Sequence, residues 1–97
     1  MRFAWDRKKS DAGYRERGFD FGFASLVFDG LTVQVEDTRR DYGERRFVAI
    51  GLVEGVHLTV VYTDRAGGRG RITRRIISAR RSNRRERRLY EEILAKS

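Results

Sequence analysis

Two apolar runs separated by a two-residue turn signal constrain this chain more than any other feature. The segments "RRFVAIGL" (residues 45–52) and "VHLTVVYT" (residues 56–63) flank "VEGV", whose centre is Glu54-Gly55. A polar residue followed by glycine between β-rich runs marks a tight hairpin. The middle of the chain is therefore committed to antiparallel pairing. In the second strand Val56, Leu58, Val60 and Tyr62 share one face, and His57, Thr59, Val61 and Thr63 share the other. Upstream, "LTVQVED" alternates in the same way. It predicts Leu31, Val33 and Val35 toward the core, with Thr32, Gln34 and Glu36 opposite. Downstream, "DRAGGRG" is a flexible turn and "RITRRIISAR" a last strand. Ile76 and Ile77 are apolar in succession, which predicts cover on both faces and a central place in the sheet.

Helices are expected on either side of this β region. "MRFAWD" reads as a short strand. A first helix opens at Asp6, a good N-cap, and closes before Gly18. A second follows in "DFGFASLVFDG", with Phe21, Ala24, Val27 and Phe28 on one stripe and Leu26 fitting it less well. "SNRRERRLYEEILAKS" is the clearest helix. Asn83 and Glu86 have capping-box spacing, and Leu89, Tyr90, Ile93 and Leu94 form its apolar stripe. Glu86 lies a turn before Leu89 and Tyr90 and points inward with them. It therefore requires a cationic partner such as Arg75 or Arg80, or a raised pKa. The expected fold is α+β: a small antiparallel sheet, two N-terminal helices and one C-terminal helix, all in one domain over residues 1–97. With the helices grouped together, one polar sheet face is left open.

The charge is segregated along the chain. Residues 1–64 carry 10 basic and 11 acidic groups, whereas residues 65–97 carry 12 basic and 3 acidic ones, and the whole chain has a formal charge of +8. Such a surface concentrates polyanions. Arginine outnumbers lysine 19 to 3, and only the guanidinium makes planar, bidentate contacts with phosphate. A coding bias toward arginine is the bland alternative. One histidine and no cysteine leave no ligand set for a structural zinc and no thiol chemistry, and no metal or cofactor is expected. With no apolar leader or membrane-length run, a soluble cytoplasmic protein is expected.

Several blocks resemble the BrnT family of toxins from type II toxin–antitoxin pairs. They are "FAWD" with Lys9, Arg17-Gly18, "VFD" at Val27–Asp29, "VED" at Val35–Asp37, "DYGERRFVAIG" at Asp41–Gly51, "VVYT" at Val60–Thr63 and "RIISARRSNRRERRLYEE" at Arg75–Glu92. The resemblance covers nearly the whole chain, and "YGERR" and "IISAR…RRERRLYEE" are its specific parts. It implies a RelE-like ribonuclease fold and an RNA-cleaving toxin that blocks translation. It also implies a ribbon-helix-helix, BrnA-like antitoxin, a toxin–antitoxin heterotetramer, and operon DNA bound only through the antitoxin. The chain departs from the family in two places. Gly13 replaces a usual first-helix asparagine, and Glu16-Arg17-Gly18 replaces Lys-His-Gly.

Metal-free RNA cleavage needs an aligned, deprotonated 2′-OH, stabilised phosphoryl charge and a protonated 5′-oxygen. Arginine meets the second need well and the other two badly, because its pKa is far above neutrality. Arg80 is the leading phosphate ligand, since it ends a buried strand just before a helix cap. Arg75 is a second. Glu86 reads either as a base or as the ion-pair partner that orients Arg80. Glu44, in "YGERR", reads either as doing the same job or as simply ending a turn. The RNA-binding candidates are Arg74, Arg81, Arg84, Arg85 and Lys9. Arg84 and Arg85 oppose the helix dipole at several tenths of a kcal/mol each, a cost that an anion bound nearby offsets. His57 is the only side chain with an ordinary pKa near neutrality, but an exposed strand histidine is the default reading. Two alternatives stand beside the ribonuclease: a non-catalytic RNA- or DNA-binding module, and a subunit whose basic face serves an acidic antitoxin.

Overall fold

A computed structural model describes all 97 residues. Strand β1 (Arg2–Trp5) leads into helix α1 (Arg7–Arg17). Helix α2 (Phe21–Ser25) continues as a 3₁₀ turn over Leu26–Asp29. Strands β2 (Thr32–Asp37), β3 (Arg46–Val53), β4 (Val56–Ala66) and β5 (Ile72–Arg81) follow, and helix α3 (Arg84–Ala95) closes the chain. The local signals explain these boundaries. The Asp6 side chain accepts from the Lys9 amide at the start of α1, and Gly18 ends that helix in the left-handed region. Glu54 and Gly55 both have positive φ, as a primed hairpin turn requires.

The class is α+β, but the sheet is mixed rather than antiparallel. Its strand order is β1-β5-β4-β3-β2. β1 runs parallel to β5, with Arg2 beside Thr73 and Trp5 beside Ile76, while every other pair is antiparallel. The pairing joins segments at opposite ends of the chain, so no local pattern discloses its direction. β5 is interior, next to central β4. The Ile76-Ile77 doublet marks a bulge: Tyr62 pairs with Ile76 and Val61 with Ser78, which leaves Ile77 as the extra residue. The bulge lets Ile76 and Ala79, three apart, both enter one core.

That core lies on the Leu58/Val60/Tyr62 face. Phe19, Phe21, Ala24 and Val27 pack there against Val53, Leu58, Val60, Ile76 and Ala79. Gly51 lets the 3₁₀ turn approach the sheet, since a Cβ on it would sit 2.8 Å from Val27 Cβ. β2 alternates as expected but with its faces reversed. Thr32 and Gln34 face this core, Thr32 against Gly51 and Gln34 hydrogen-bonded to Tyr62. Leu31 and Val35 are exposed. An edge strand covered incompletely on both sides does not reveal its inward face by hydropathy.

The helices are not grouped. α1 and α2 cover the Leu58 face, and α3 lies across the opposite one. There the Tyr90 ring meets His57 edge-on at 5.6 Å, and its hydroxyl donates to the Leu31 carbonyl at 3.0 Å. At the head of α3, Thr59 and Ser82 hydroxyls bond at 2.8 Å. Only Tyr90 of the predicted stripe is buried, while Leu89 and Ile93 stand exposed. α3 therefore covers just part of its face and leaves a groove beside its N-terminus.

Candidate active site

The groove encloses about 480 Å³ and is lined by β2 and its following turn, by the middle of β3, β4 and β5, and by α3. Val35, Val48, Val61 and Ser78 form its floor. Asp37 and Arg39 stand on one wall, and Arg80 and Glu86 on the other. β4 explains why these side chains meet. Thr59, Val61 and Thr63 point away from the main core, and their cross-strand partners Arg80, Ser78 and Arg75 follow them to that face.

Each wall arginine is held by a carboxylate. Arg80 donates to both oxygens of Glu86, Nη1 to Oε1 at 2.7 Å and Nη2 to Oε2 at 2.8 Å. The Asn83 amide also donates to Glu86 Oε1 at 2.9 Å, and the Glu86 amide donates back to Asn83. The capping box therefore positions the carboxylate, and the carboxylate positions the guanidinium. Glu86 titrates below its ordinary range, chiefly because Arg80 donates to it, with a smaller contribution from the Asn83 amide. Arg80 is correspondingly raised by Glu86. On the other wall Arg39 donates Nε and Nη2 to Asp37, each at 2.9 Å, and the Tyr42 hydroxyl adds a bond at 3.0 Å. These bonds, led by Arg39, hold Asp37 far below the usual carboxylate range. Pairing also lowers the cost of holding Arg39 and Arg80 near each other, two cations whose mutual repulsion is felt at Arg80.

Both pairs leave donors free. A guanidinium has five N–H groups; on Arg80, Glu86 engages two and the Arg81 carbonyl a third at 3.4 Å. Glu86, by contrast, accepts from two Arg80 nitrogens and a backbone amide. A carboxylate so occupied and so easily ionised is poorly suited to take a proton. Of its two expected roles, the geometry supports orientation of Arg80. Arg75 shares the groove face across from Thr63, half-buried and without a carboxylate partner. Arg84 and Arg85 are exposed in the first turn of α3, next in sequence to Glu86 but not part of the groove lining.

The remaining candidates lie elsewhere. Glu44 bonds Arg46 at 3.1 Å and approaches Arg65 at 3.5 Å, one step beyond Tyr42. Arg46 in turn stacks over the Tyr42 ring at 4.3 Å. Arg74 faces the main core: it bonds Asp64 at 2.8 and 2.9 Å and lies over the Tyr62 and Phe28 rings at 4.1 and 4.7 Å. The bulge at Ile77 turns Arg81 to that side too, where it lines an apolar recess with Tyr14, Phe19 and Phe23. Lys9 is exposed on α1, across the sheet from Arg80. Arg17, at the departing family position, is on α1 as well. His57 bonds Glu91 at 2.8 Å and packs on Tyr90, under α3 and outside the groove lining. Arg39, Asp37 and Tyr42 escaped the sequence reading. Their signal is the Asp-x-Arg…Tyr spacing in "EDTRRDY", where a carboxylate two residues before an arginine caps its turn.

A family model described as "Ribonuclease toxin, BrnT, of type II toxin-antitoxin system" matches residues 5–86, a span that takes in both walls of the groove. Comparison with curated proteins gives no match.

Proposed function

Since the chain belongs to the BrnT family of ribonuclease toxins of type II toxin–antitoxin systems, we propose that it cleaves RNA in this groove, without a metal, and so blocks translation. The whole of residues 1–97 acts as one RelE-like domain in the cytoplasm. A ribbon-helix-helix antitoxin of BrnA type neutralises it, and the complex, a heterotetramer, represses the shared operon. No helix is long and apolar enough to cross a membrane.

The observation that carries this reading is the Arg80–Glu86 pair at the groove wall. The scissile phosphate sits against the free N–H groups of Arg80, with Arg39 facing it. The 2′-oxygen forms a bond to phosphorus as the bond to the 5′-oxygen breaks. The 2′-OH proton passes to water, and the 5′-oxygen takes a proton from water. Products are a 2′,3′-cyclic phosphate end and a 5′-OH end. A preorganised guanidinium stabilises the charge that grows on the phosphoryl oxygens, typically by about 2.7–4 kcal/mol for a well-placed donor. Alignment supplies much of the remainder. Glu86 is a positioning residue, and Arg75, Arg84 and Arg85 hold flanking phosphates.

One observation favours the non-catalytic alternative: the groove carboxylates Asp37 and Glu86 are both bonded to arginine and easily ionised, so neither is a strong base. Incubating the purified, antitoxin-free chain with RNA in EDTA separates the readings. Fragments with cyclic phosphate ends support the ribonuclease. Intact RNA at every salt concentration leaves a binding module.

A further inference from the structure

The groove does not end the cationic surface on its face of the sheet. Alternation along β4 places Arg65 on the same side as Thr59, Val61 and Thr63. Opposite them on β5 stand Arg80, Ser78, Arg75 and Thr73. β1 continues the row, with Ala4 beside Arg75 and Arg2 beside Thr73. At the far end Arg2, Thr73, Arg69 and Arg71 line a recess of about 350 Å³ with Gly67 and Gly68. No carboxylate lines it, and none of its three arginines forms an ion pair, in contrast to the wall arginines of the groove. The loop is folded rather than splayed. The Gly67 amide donates to the Arg71 carbonyl at 2.6 Å, and Arg69 and Gly70 turn through positive φ.

Three guanidiniums brought together without a counter-charge repel one another, and that arrangement suits a site completed by a bound anion. We propose that this recess is a second phosphodiester-binding site, and that a single RNA strand runs along β5 from Arg80 through Arg75 to Arg2, Arg69 and Arg71. The inference rests on the ribonuclease reading for its substrate, and the recess supplies an extended footprint on one side of the cut. From Thr59 to Arg65 the strand rises about 20 Å at roughly 3.3 Å per residue. A stacked nucleic-acid strand advances about 3.4 Å per nucleotide, so the track accommodates about six nucleotides. Beyond Arg80, which Glu86 pairs, Arg75, Arg2, Arg69 and Arg71 follow on this face without an ion-pair partner, and such a succession fits a repeating phosphate backbone better than a single small anion.

The test uses fluorescently labelled 2′-O-methyl RNA, which lacks the attacking hydroxyl and stays intact. Its binding to the full chain is measured by anisotropy across a salt series, for a trimer and a decamer. The triple variant Arg2→Ala, Arg69→Ala, Arg71→Ala is expected to bind the trimer as the wild type does. Its slope of log affinity against log salt for the decamer should fall by about 2, at roughly 0.7 per lost single-strand contact. The charge-preserving triple lysine variant should keep the slope, and thermal melts should be unchanged because all three side chains are exposed. Unchanged decamer binding by the alanine variant overturns the proposal. So does loss of binding to polyglutamate with RNA binding intact, which would assign the recess to an acidic protein. If the decamer result holds but natural RNA is never cut, the ribonuclease reading fails while the track stands.

Discussion

Glu86→Gln is the substitution that most sharply distinguishes orientation from proton transfer. The carboxylate receives two bonds from Arg80 and one from the Asn83 amide. A glutamine keeps one acceptor oxygen and places an NH₂ against the guanidinium, so at least one bond is lost and two donors face each other. The Arg80 side chain is 51% exposed, which restricts the ion pair to about 0.5–1 kcal/mol. A partly impaired cap adds a few tenths, and the total of about 1 kcal/mol corresponds to a melting temperature lower by roughly 4–8 °C in a domain of this size. The sign with pH follows from the direction of the shift. Glu86 is depressed below its ordinary value of 4.5 when folded, so its stabilisation is present above that value and disappears as pH falls through the folded pKa. Wild type and variant should therefore melt alike in strong acid and diverge at neutrality. RNA affinity should be equal or slightly tighter, because a negative charge is gone, while single-turnover cleavage should slow about tenfold, equivalent to about 1.4 kcal/mol of lost alignment. A loss of ~1,000-fold or more with the acidic limb of the pH–rate profile abolished would identify Glu86 as the base and refute this reasoning. Unchanged cleavage would refute the coupling to Arg80.

Three further outcomes are expected. Asp37→Asn should free Arg39 and loosen residues 38–46, read as faster amide exchange there; the wild-type segment should show the same loosening only in acid, since Asp37 is held depressed and its contribution is lost on protonation. Gly51→Ala should destabilise by about 1–3 kcal/mol through its collision with Val27, without altering RNA affinity in the folded fraction. Arg74→Gln should cost about 1–2 kcal/mol in urea unfolding because two ring contacts and an ion pair are lost, yet change RNA binding far less than Arg75→Gln; equal effects would place Arg74 in the interface after all.

Local patterns were readable and long-range placement was not. The Glu54-Gly55 turn, the two faces of β4, the Asp6 and Asn83 caps and the inward Glu86 all follow from spacing within a few residues. The parallel partnership of β1 and β5 joins opposite ends of the chain. The bulge at Ile77, visible only as an Ile-Ile doublet, decides that Arg80 faces the groove and Arg81 the opposite side. Arg74 and Arg75 are separated by the same alternation, one into an aromatic sandwich and one into the open face. The position of α3 across the sheet from α1 was also hidden, since its exposed Leu89 and Ile93 imitate a core stripe. Arg80 and Glu86 were legible as a pair because only the strand end, the cap and the first turn of α3 separate them. Arg39 was not, because only the fold of the loop after β2 brings it opposite Arg80.

The central claim is that the Arg80 guanidinium stabilises the charge developing on a phosphodiester. Single-turnover cleavage of RNA in EDTA at saturating protein, comparing wild type with Arg80→Ala, addresses it most directly. A fall of about 100-fold or more in the cleavage rate, with affinity for non-cleavable RNA changed only a few-fold, is the predicted result. Equal rates for the two proteins would contradict it.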